Sequence, residues 1–230
     1  MTARTATTWR GGLGKVVLGG LGWLPAILLA SLMAAMIIKA RTRPQAGAGP
    51  PHSIVSGWRA YATGHRIGDP RADIVITVFT DFQCPFCKRF YQTARQAVAA
   101  HPTRVALVVR NYPLSALHPL AMDGAIAAEC AAEQGRFADF VDAAYAAQDS
   151  LQQKSWAALA SRSGPIDTVG FRLCQASPRP RERIAGDVRA GDALGIVGTP
   201  LVLVGEEKFA GAVPPEQLDS LIRRLMTRGQ

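Results

Sequence analysis

The alternation of apolar and polar positions predicts a strand, a helix and a second strand in the first part of the folded region. Residues 73–80 (DIVITVFT) form an apolar, β-branched run of strand length, and a helical pattern follows from Pro85 to about residue 100. A second strand is predicted over residues 104–110 (RVALVVR). Two strands joined through a helix favour a right-handed βαβ unit with parallel strands.

The pattern becomes almost entirely helical from about His118 to Gly195, where the chain is rich in alanine and interrupted by glycines and prolines. Beyond this block, residues 201–204 and 208–210 predict a hairpin, and residues 215 to about 227 predict an amphipathic helix. The order βαβ, helices, ββα predicts an α/β fold with a helical insertion over about residues 118–195.

The N-terminal part carries an uncharged apolar run of 23 residues, from Val16 to Ile38. At about 1.5 Å per residue it is long enough to cross a hydrocarbon core of about 30 Å, which predicts a transmembrane anchor. A cleaved secretory signal is the alternative, although its apolar region usually has only about 7 to 15 residues. Residues 1–15 are a short basic tail, residues 39–57 a Pro/Gly-rich linker, and residues 58–230 the folded domain.

The net charge of +9 comes mostly from the N-terminal part. Residues 1–52 hold six basic and no acidic residues, whereas the remainder holds 20 basic and 17 acidic residues. The clustered basic and aromatic surface of a nucleic-acid binder is missing, so no nucleic-acid partner is expected. Membrane lipid is the expected contact of the apolar run, but basic residues flank both of its ends and leave its orientation open.

Two cysteines, Cys84 and Cys87, lie at the junction of the first strand and the first helix. Disulfide exchange requires a thiolate that attacks and a second thiol that resolves the mixed disulfide. At the start of a helix, unpaired backbone N–H groups and the helix dipole favour a thiolate. The motif Cys-Pro-Phe-Cys therefore predicts Cys84 as the attacking residue and Cys87 as the resolving one, with no cofactor beyond their disulfide.

A zinc site is the alternative interpretation of the Cys-x-x-Cys spacing. Structural zinc takes four ligands, usually from a second pair with similar spacing. The remaining candidate ligands show no such spacing; they are Cys130, Cys174, His52, His65, His101 and His118. The sequence thus favours redox chemistry and predicts no metal site.

Three segments resemble the thioredoxin superfamily, and within it the disulfide-bond-forming (DsbA-like) branch. They are residues 79–87 (FTDFQCPFC), the start of the insertion near His118, and residues 197–200 (VGTP), and the resemblance covers roughly residues 68–227. It implies a thioredoxin-like fold and a thiol:disulfide oxidoreductase in which Pro200 is cis and faces the cysteines. Thr199 and Pro200 are then implied to bind the substrate backbone; without the resemblance, Pro200 is equally well a turn proline.

Two positions depart from the pattern of that family. Many relatives carry a buried acidic residue six positions before the first cysteine, where it helps to move protons to and from the resolving thiol, but Val78 stands here. The strongest oxidants have a histidine between the cysteines, and Phe86 cannot stabilise a thiolate as an imidazole does. Asp81 is interpreted as a loop or capping residue and His118 as a loop or helix-start residue, so no proton route is assigned.

A second pair of cysteines, Cys130 and Cys174, lies in two predicted helices of the insertion. Buried, inert thiols are one interpretation. In an oxidising compartment a structural disulfide is favoured, and closing a loop of about 45 residues is worth roughly 4 kcal/mol in the chain-entropy account.

The predicted function is disulfide exchange with exported cysteine-containing proteins, as an oxidase, with a membrane quinone-linked redox partner implied by the resemblance. A reductase for cytochrome or metalloprotein maturation is one alternative, and a non-redox anchored binding module or chaperone is another. Such chemistry belongs on the oxidising side of a membrane. The predicted location is therefore the inner (cytoplasmic) membrane, crossed once, with the C-terminal domain on the periplasmic or extracytoplasmic side; secretion after signal cleavage is the alternative.

Overall fold

The computed structural model describes residues 51–228 and, nearer the N-terminus, Leu29, Ser31 and Met33, which are helical. The predicted tail, nearly all of the predicted membrane segment 16–38 and the predicted linker up to residue 50 lie outside the described residues. Among the residues that are described, no helix has both the length and the apolar character needed to span a bilayer.

Six strands form one mixed sheet. They are β1 (His52–Ile54), β2 (His65–Ile67), β3 (Ile74–Thr80), β4 (Val105–Asn111), β5 (Leu201–Val204) and β6 (Glu207–Ala210). Their order across the sheet is β1-β6-β5-β3-β4-β2. Strands β3 and β4 are parallel, and all other neighbours are antiparallel.

The helices follow the predicted division of the chain. They are α1 (Pro85–Ala100), α2 (Ala121–Ala132), α3 (Phe137–Ala146), α4 (Trp156–Arg162), α5 (Thr168–Ala176), α6 (Arg179–Ala193) and α7 (Pro215–Arg228). Two short 3-10 helices lie at Trp58–Tyr61 and Gln148–Gln153. Helices α2 to α6 make up the insertion, between the βαβ unit and the β5–β6 hairpin.

Strand β3 lies in the middle of the sheet, and all seven of its residues are buried. Because side chains alternate along a strand, its two faces serve two different cores. Ile76 and Val78 pack in the larger core together with Cys87 of α1, whereas Phe79 packs with Leu194 and other residues on the opposite face. The strand is therefore held firmly where it delivers the chain to the cysteine motif.

The predicted α/β order with a helical insertion is confirmed, and α1 has the predicted extent. The structure adds β1 and β2, which the sequence pattern did not predict. Strand β1 falls within the predicted linker 39–57, where it pairs with β6 and places His52 opposite Phe209. Each of the two strands has only three residues, too few to show an alternating pattern, and they form the two edges of the sheet.

Helix α2 is the centre of the insertion, since it contacts α3, α4, α5 and α6. Its many alanines are buried and allow the neighbouring helices to come close. Cys130 of α2 and Cys174 of α5 form a disulfide, with their Cα atoms 5.7 Å apart. Cys84 and Cys87, by contrast, are free thiols in this structure.

Candidate active site at the cysteine pair

The cysteine motif lies in the turn that joins β3 to α1. The backbone N–H of Cys84 donates to the carbonyl oxygen of Asp81 at 3.1 Å and closes this turn. Cys84 is the N-cap residue of α1, and Pro85 is the first residue of the helix, a position that suits proline because the N–H it lacks would have no partner there. The sulfur of Cys84 is thus placed at the N-terminus of α1, and Cys87 lies on the buried side of its first turn.

The Cys84 thiol is the acidic member of the pair. Its pKa is lowered from 9.0 to about 5, chiefly by a hydrogen bond from the Cys87 side chain. The backbone N–H groups of Cys87 and Phe86 and the side chain of Thr199 lower it further, while burial acts in the opposite direction. At neutral pH Cys84 is therefore a thiolate, which is the form that attacks a disulfide.

The Cys87 thiol is the basic member. It is fully buried, and this burial raises its pKa well above 9.0, an effect to which the neighbouring Cys84 adds. The side chain of Thr80 and the backbone N–H of Asp81 act in the opposite direction, the latter at 3.5 Å from the sulfur. The two pKa values are driven apart, as the predicted division into an attacking Cys84 and a resolving Cys87 requires.

The residues just before β5, Thr199 and Pro200, lie next to the cysteine pair. The peptide bond between Thr199 and Pro200 is cis. The sulfur of Cys84 lies 3.3 Å from the carbonyl oxygen of Thr199, to which its thiol form donates. The Thr199 hydroxyl oxygen is buried and has no hydrogen-bond partner among the described residues. The structure thus brings both residues of the predicted substrate-binding element to the attacking sulfur.

Two exposed apolar side chains are close in sequence to the residues of this site. Phe86, between the two cysteines, is 53% exposed, and Val197, three residues before Pro200, is 95% exposed. The guanidinium group of Arg89 lies over the Phe86 ring, 4.7 Å from its centroid. The exposed Phe86 ring is an apolar surface within the cysteine motif itself.

Asp81 connects the cysteine turn to the start of the insertion. Its buried carboxylate accepts hydrogen bonds from the backbone N–H groups of Gln83 and Leu114, both at 2.8 Å. His118 Nδ1 lies 2.9 Å from the same carboxylate. Of the two predicted roles, loop or capping residue, Asp81 has the first, because Cys84 is the N-cap of α1 and no side chain caps it. The interpretation of His118 as a loop or helix-start residue did not include this pairing, because nothing in the local pattern links positions 37 residues apart.

Gln148 holds the backbone of the motif from the side of the insertion. Its Nε2 donates to the carbonyl oxygen of Phe82 at 2.8 Å and to that of Cys84 at 3.0 Å. Gln83 makes a converse contact, accepting a hydrogen bond from the backbone N–H of Leu120. These contacts anchor both ends of the turn, and sequence reasoning did not single out either glutamine, since a glutamine in a polar segment has no distinctive signal.

The possible metal ligands of the described residues are their His, Cys, Asp and Glu side chains. No group of three or more His, Cys, Asp or Glu side chains in the described part of the chain is placed to hold a metal ion. Cys130 and Cys174 are bound to each other, away from the Cys84–Cys87 pair.

The domain is similar to a protein family and to several curated proteins. A family model described as thioredoxin matches residues 61–224. The Na(+)/H(+) antiporter NhaA 3 of Salinispora tropica is 34% identical over 158 residues, which are 69% of this chain and 24% of the antiporter. The chain spans about a quarter of the length of the curated relatives that it matches.

Solved structures with the same fold include two from bacteria. A thioredoxin-like oxidoreductase from Silicibacter pomeroyi is 25% identical, with a TM-score of 0.63, and the match covers 75% of this chain and 99% of that one. The thiol-disulfide exchange protein α-DsbA2 from Wolbachia pipientis is 20% identical, with a TM-score of 0.65, and the match covers 74% and 92% of the two chains. At 20% identity, the similarity to the Wolbachia protein shows a shared fold.

Proposed function

Because the chain belongs to the thioredoxin family, whose model covers residues 61–224, we propose that Cys84 and Cys87 exchange disulfides with exported cysteine-containing proteins and act as an oxidase. The predicted family resemblance and the predicted enzyme class, a DsbA-like thiol:disulfide oxidoreductase, are confirmed. The direction of exchange, the substrates and the location are parts of the proposal.

The exchange reaction proceeds in two steps on the sulfurs. In the oxidase direction, a substrate thiolate attacks the Cys84 sulfur of the Cys84–Cys87 disulfide, and Cys87 leaves as a thiolate that takes up a proton. A second substrate thiolate then attacks the substrate sulfur of the mixed disulfide, forms the substrate disulfide and releases Cys84 as a thiolate. Two electrons pass from the substrate to the cysteine pair.

The low pKa of Cys84 is the observation that supports the oxidase direction. A thiolate with a pKa of about 5 is a good leaving group and stabilises the reduced form of the pair. A dithiol that is stable when reduced gives its disulfide away readily, as the strongest oxidants of this chemistry do. The cis Pro200 and the exposed side chains of Phe86 and Val197 offer a place beside this sulfur for an extended substrate.

Equilibration of the purified protein with glutathione buffers tests the direction. An oxidase is expected to have a Cys84/Cys87 potential between about −180 and −120 mV, whereas a value near about −270 mV, as in thioredoxin, would overturn the proposed direction. Phe86 stands where the strongest oxidants have a histidine, which favours a second candidate function, a reductase for cytochrome or metalloprotein maturation. The same measurement of the potential separates the oxidase from the reductase.

Variants of the two cysteines test the chemistry. Cys84→Ser is expected to abolish oxidation of a reduced peptide. Cys87→Ser is expected to accumulate mixed disulfides between Cys84 and substrate, which non-reducing gels and mass spectrometry detect. Full thiol oxidation by Cys84→Ser would exclude Cys84 as the attacking residue.

The location follows from the chemistry. We place the domain on the periplasmic or extracytoplasmic side of the inner membrane, with the apolar run 16–38 as its tether and a quinone-linked membrane protein as its redox partner. The presence of the matched domain in a relative named as a Na(+)/H(+) antiporter supports a position beside a membrane. Protease accessibility in spheroplasts checks the side, and the mass of the mature protein separates an anchor from a cleaved signal.

A further inference from the structure

Asp81 contacts both cysteines of the motif through its backbone. Its carbonyl oxygen accepts a hydrogen bond from the N–H of Cys84 at 3.1 Å, and its own N–H donates to the sulfur of Cys87 at 3.5 Å. Asp81 and Cys87 are both buried, with no more than 1% of either residue exposed. One buried residue thus lies against the attacking cysteine and against the resolving one.

The N–H of Asp81 acts on Cys87 when that cysteine is charged. A thiolate in a buried position is unfavourable unless hydrogen-bond donors face it. The Asp81 N–H is such a donor, within hydrogen-bond distance of the sulfur, and it lowers the pKa of Cys87 against the effect of burial. A donor that is already directed at the developing charge needs no reorganisation during the reaction. The position of this N–H therefore affects how fast Cys87 reacts.

Three groups hold the carboxylate of Asp81. Its Oδ1 accepts from the backbone N–H of Gln83, and its Oδ2 accepts from the backbone N–H of Leu114, both at 2.8 Å. The third group is the ring of His118, whose Nδ1 lies 2.9 Å from Oδ2. A carboxylate only accepts, and imidazole is the more basic of the two groups, so the shared proton lies on Nδ1 and His118 donates. Of the three donors, His118 alone is a side chain.

Leu114 and His118 belong to one turn before α2. The carbonyl oxygen of Leu114 accepts hydrogen bonds from the backbone N–H groups of Leu117 and His118, both at 2.8 Å. The two groups that contact Oδ2 of Asp81 therefore come from the two ends of this turn. The side chain of His118 is 19% exposed, whereas that of Asp81 is fully buried. Replacement of the His118 ring thus removes one contact to Asp81, while the backbone hydrogen bonds of the turn remain.

We propose that His118 is a positioning residue of the exchange, which holds Asp81 so that the Asp81 N–H stays directed at the sulfur of Cys87. This role rests on the proposed function, because it concerns the same cysteine pair. When Cys87 resolves a mixed disulfide, it loses its proton to solvent, and its thiolate bonds to the Cys84 sulfur. The bond from Cys84 to the other sulfur breaks, and the negative charge leaves on the departing thiolate.

In the oxidase direction the same N–H acts on the reverse event. A substrate thiolate bonds to the Cys84 sulfur, the Cys84–Cys87 bond breaks, and the charge that develops on Cys87 is stabilised by the Asp81 N–H. Cys87 then takes up a proton from solvent. Because forward and reverse steps share a transition state, displacement of the N–H slows both. Attack by a reduced Cys84 on an outside disulfide leaves Cys87 as it is, so the role of His118 concerns the steps at Cys87.

Reduced protein mixed with dithiobis(nitrobenzoic acid) separates the steps of the two sulfurs. Cys84 attacks the reagent and releases one thionitrobenzoate, and Cys87 then attacks the mixed disulfide at Cys84 and releases the second. In His118→Ala we expect the second phase to slow about fivefold, the effect of one typical hydrogen bond. The first phase stays as in the wild type. His118→Asn restores the second phase, because the asparagine amide can donate from the place of Nδ1.

The amide proton of Asp81 reports the geometry directly. Its chemical shift in the NMR spectrum of the reduced protein depends on the hydrogen bond to the Cys87 sulfur. In His118→Ala this resonance is expected to move upfield, as it does when a hydrogen bond lengthens, and in His118→Asn it returns to the wild-type position. An unmoved resonance in His118→Ala would overturn the positioning role.

His65 supplies a matched control. Its Nε2 lies 2.8 Å from the carboxylate of Glu129, and the side chains of this pair are 26% and 2% exposed, close to the values for His118 and Asp81. The Glu129 carboxylate also accepts a hydrogen bond from the side chain of Asn111, in β4. His65→Ala thus removes an equivalent pair outside the cysteine turn, and it is expected to leave both phases unchanged.

Four kinetic results would overturn the role of His118. They are an unchanged second phase in His118→Ala, an equal slowing of both phases in that variant, an equally slow second phase in His118→Asn, and the same slowing in His65→Ala. If His118→Ala does not fold, His118→Gln takes its place with the same expectations, because its amide group lies one carbon further from the backbone. A wild-type first phase no faster than that of free cysteine is a different failure, since it would refute the proposed function itself.

Discussion

The sulfur of Cys84 lies 3.3 Å from the carbonyl oxygen of Thr199, across a sequence separation of 115 residues. The peptide bond that follows this carbonyl is cis, so the backbone of Thr199 and the ring of Pro200 flank the attacking sulfur. The side chain of Thr199 also lowers the pKa of Cys84.

Titration of the Cys84 thiolate is expected to have its midpoint at a pH of about 5. The rate of alkylation in a Cys87→Ser background is not suitable for this measurement, because the Cys87 side chain is the largest cause of the low pKa. Thiolate absorbance of the reduced wild-type protein reports it directly. In Thr199→Val the midpoint is expected to rise, and Thr199→Ser serves as the control that keeps the hydroxyl. An unchanged midpoint in Thr199→Val would show that the hydroxyl takes no part.

The stability of the reduced protein is expected to depend on pH through Cys84. The pKa of this thiol is about 5 in the folded state and near 9.0 when unfolded. A lowered pKa stabilises the folded state fully above the unfolded value, and the stabilisation is lost as the pH falls to the folded value. Between about pH 9 and pH 5, the reduced form should thus lose stability relative to the oxidised form. Thermal unfolding of both forms across this range checks the prediction, and Cys84→Ser should remove the trend.

Gln148→Leu is expected to loosen the cysteine turn. The substitution removes the two hydrogen bonds to the carbonyl oxygens of Phe82 and Cys84 and leaves these acceptors without that donor. A loss of about 1 to 3 kcal/mol in the free energy of unfolding follows from such a change. Urea unfolding measures it, and Gln152→Leu, on an exposed position of the same 3-10 helix, is the control. Equal stabilities of the two variants would contradict the anchoring role.

Removal of the disulfide in the insertion is expected to reduce stability without affecting exchange. The bridge between Cys130 and Cys174 closes a loop with a sequence separation of 44. The chain-entropy account assigns about 4 kcal/mol to a loop of this length. Denaturant unfolding of the Cys130→Ala/Cys174→Ala double variant measures the loss, and its Cys84/Cys87 potential should equal that of the wild type. A shifted potential would mean that the bridge acts on the active site.

The two edge strands of the sheet could not be predicted from the sequence pattern. Strand β3, α1 and the β5–β6 hairpin were predicted because each carries its own periodicity or turn residues. Strands β1 and β2 were missed, since three residues carry no period and their pairing with β6 and β4 depends on chain far away in sequence. The region between residues 39 and 57 therefore read as a linker, although residues 52–54 belong to the sheet.

Some residues of the candidate active site could be predicted from the local sequence, and others could not. The sequence by itself predicted the attacking and resolving roles of Cys84 and Cys87, because the spacing of two cysteines at a helix start is a local arrangement with a local electrostatic consequence. The resemblance, and not the local pattern, marked Val78 as the position where relatives carry an acidic residue. The roles of Thr199 and Pro200 came from resemblance, since a short Gly-Thr-Pro segment has no pattern of its own.

Only the tertiary structure decided what surrounds the two sulfurs. Four residues reach the motif from segments 34 to 115 residues beyond Cys84, because the insertion and the β5–β6 hairpin pack against the end of β3. They are His118, Tyr145, Gln148 and Thr199. Hydrogen bonds over such separations depend on the closure of the whole domain, and no local propensity encodes them. The cysteine pair is thus encoded by local sequence, whereas the groups that contact the motif are brought to it by the tertiary fold.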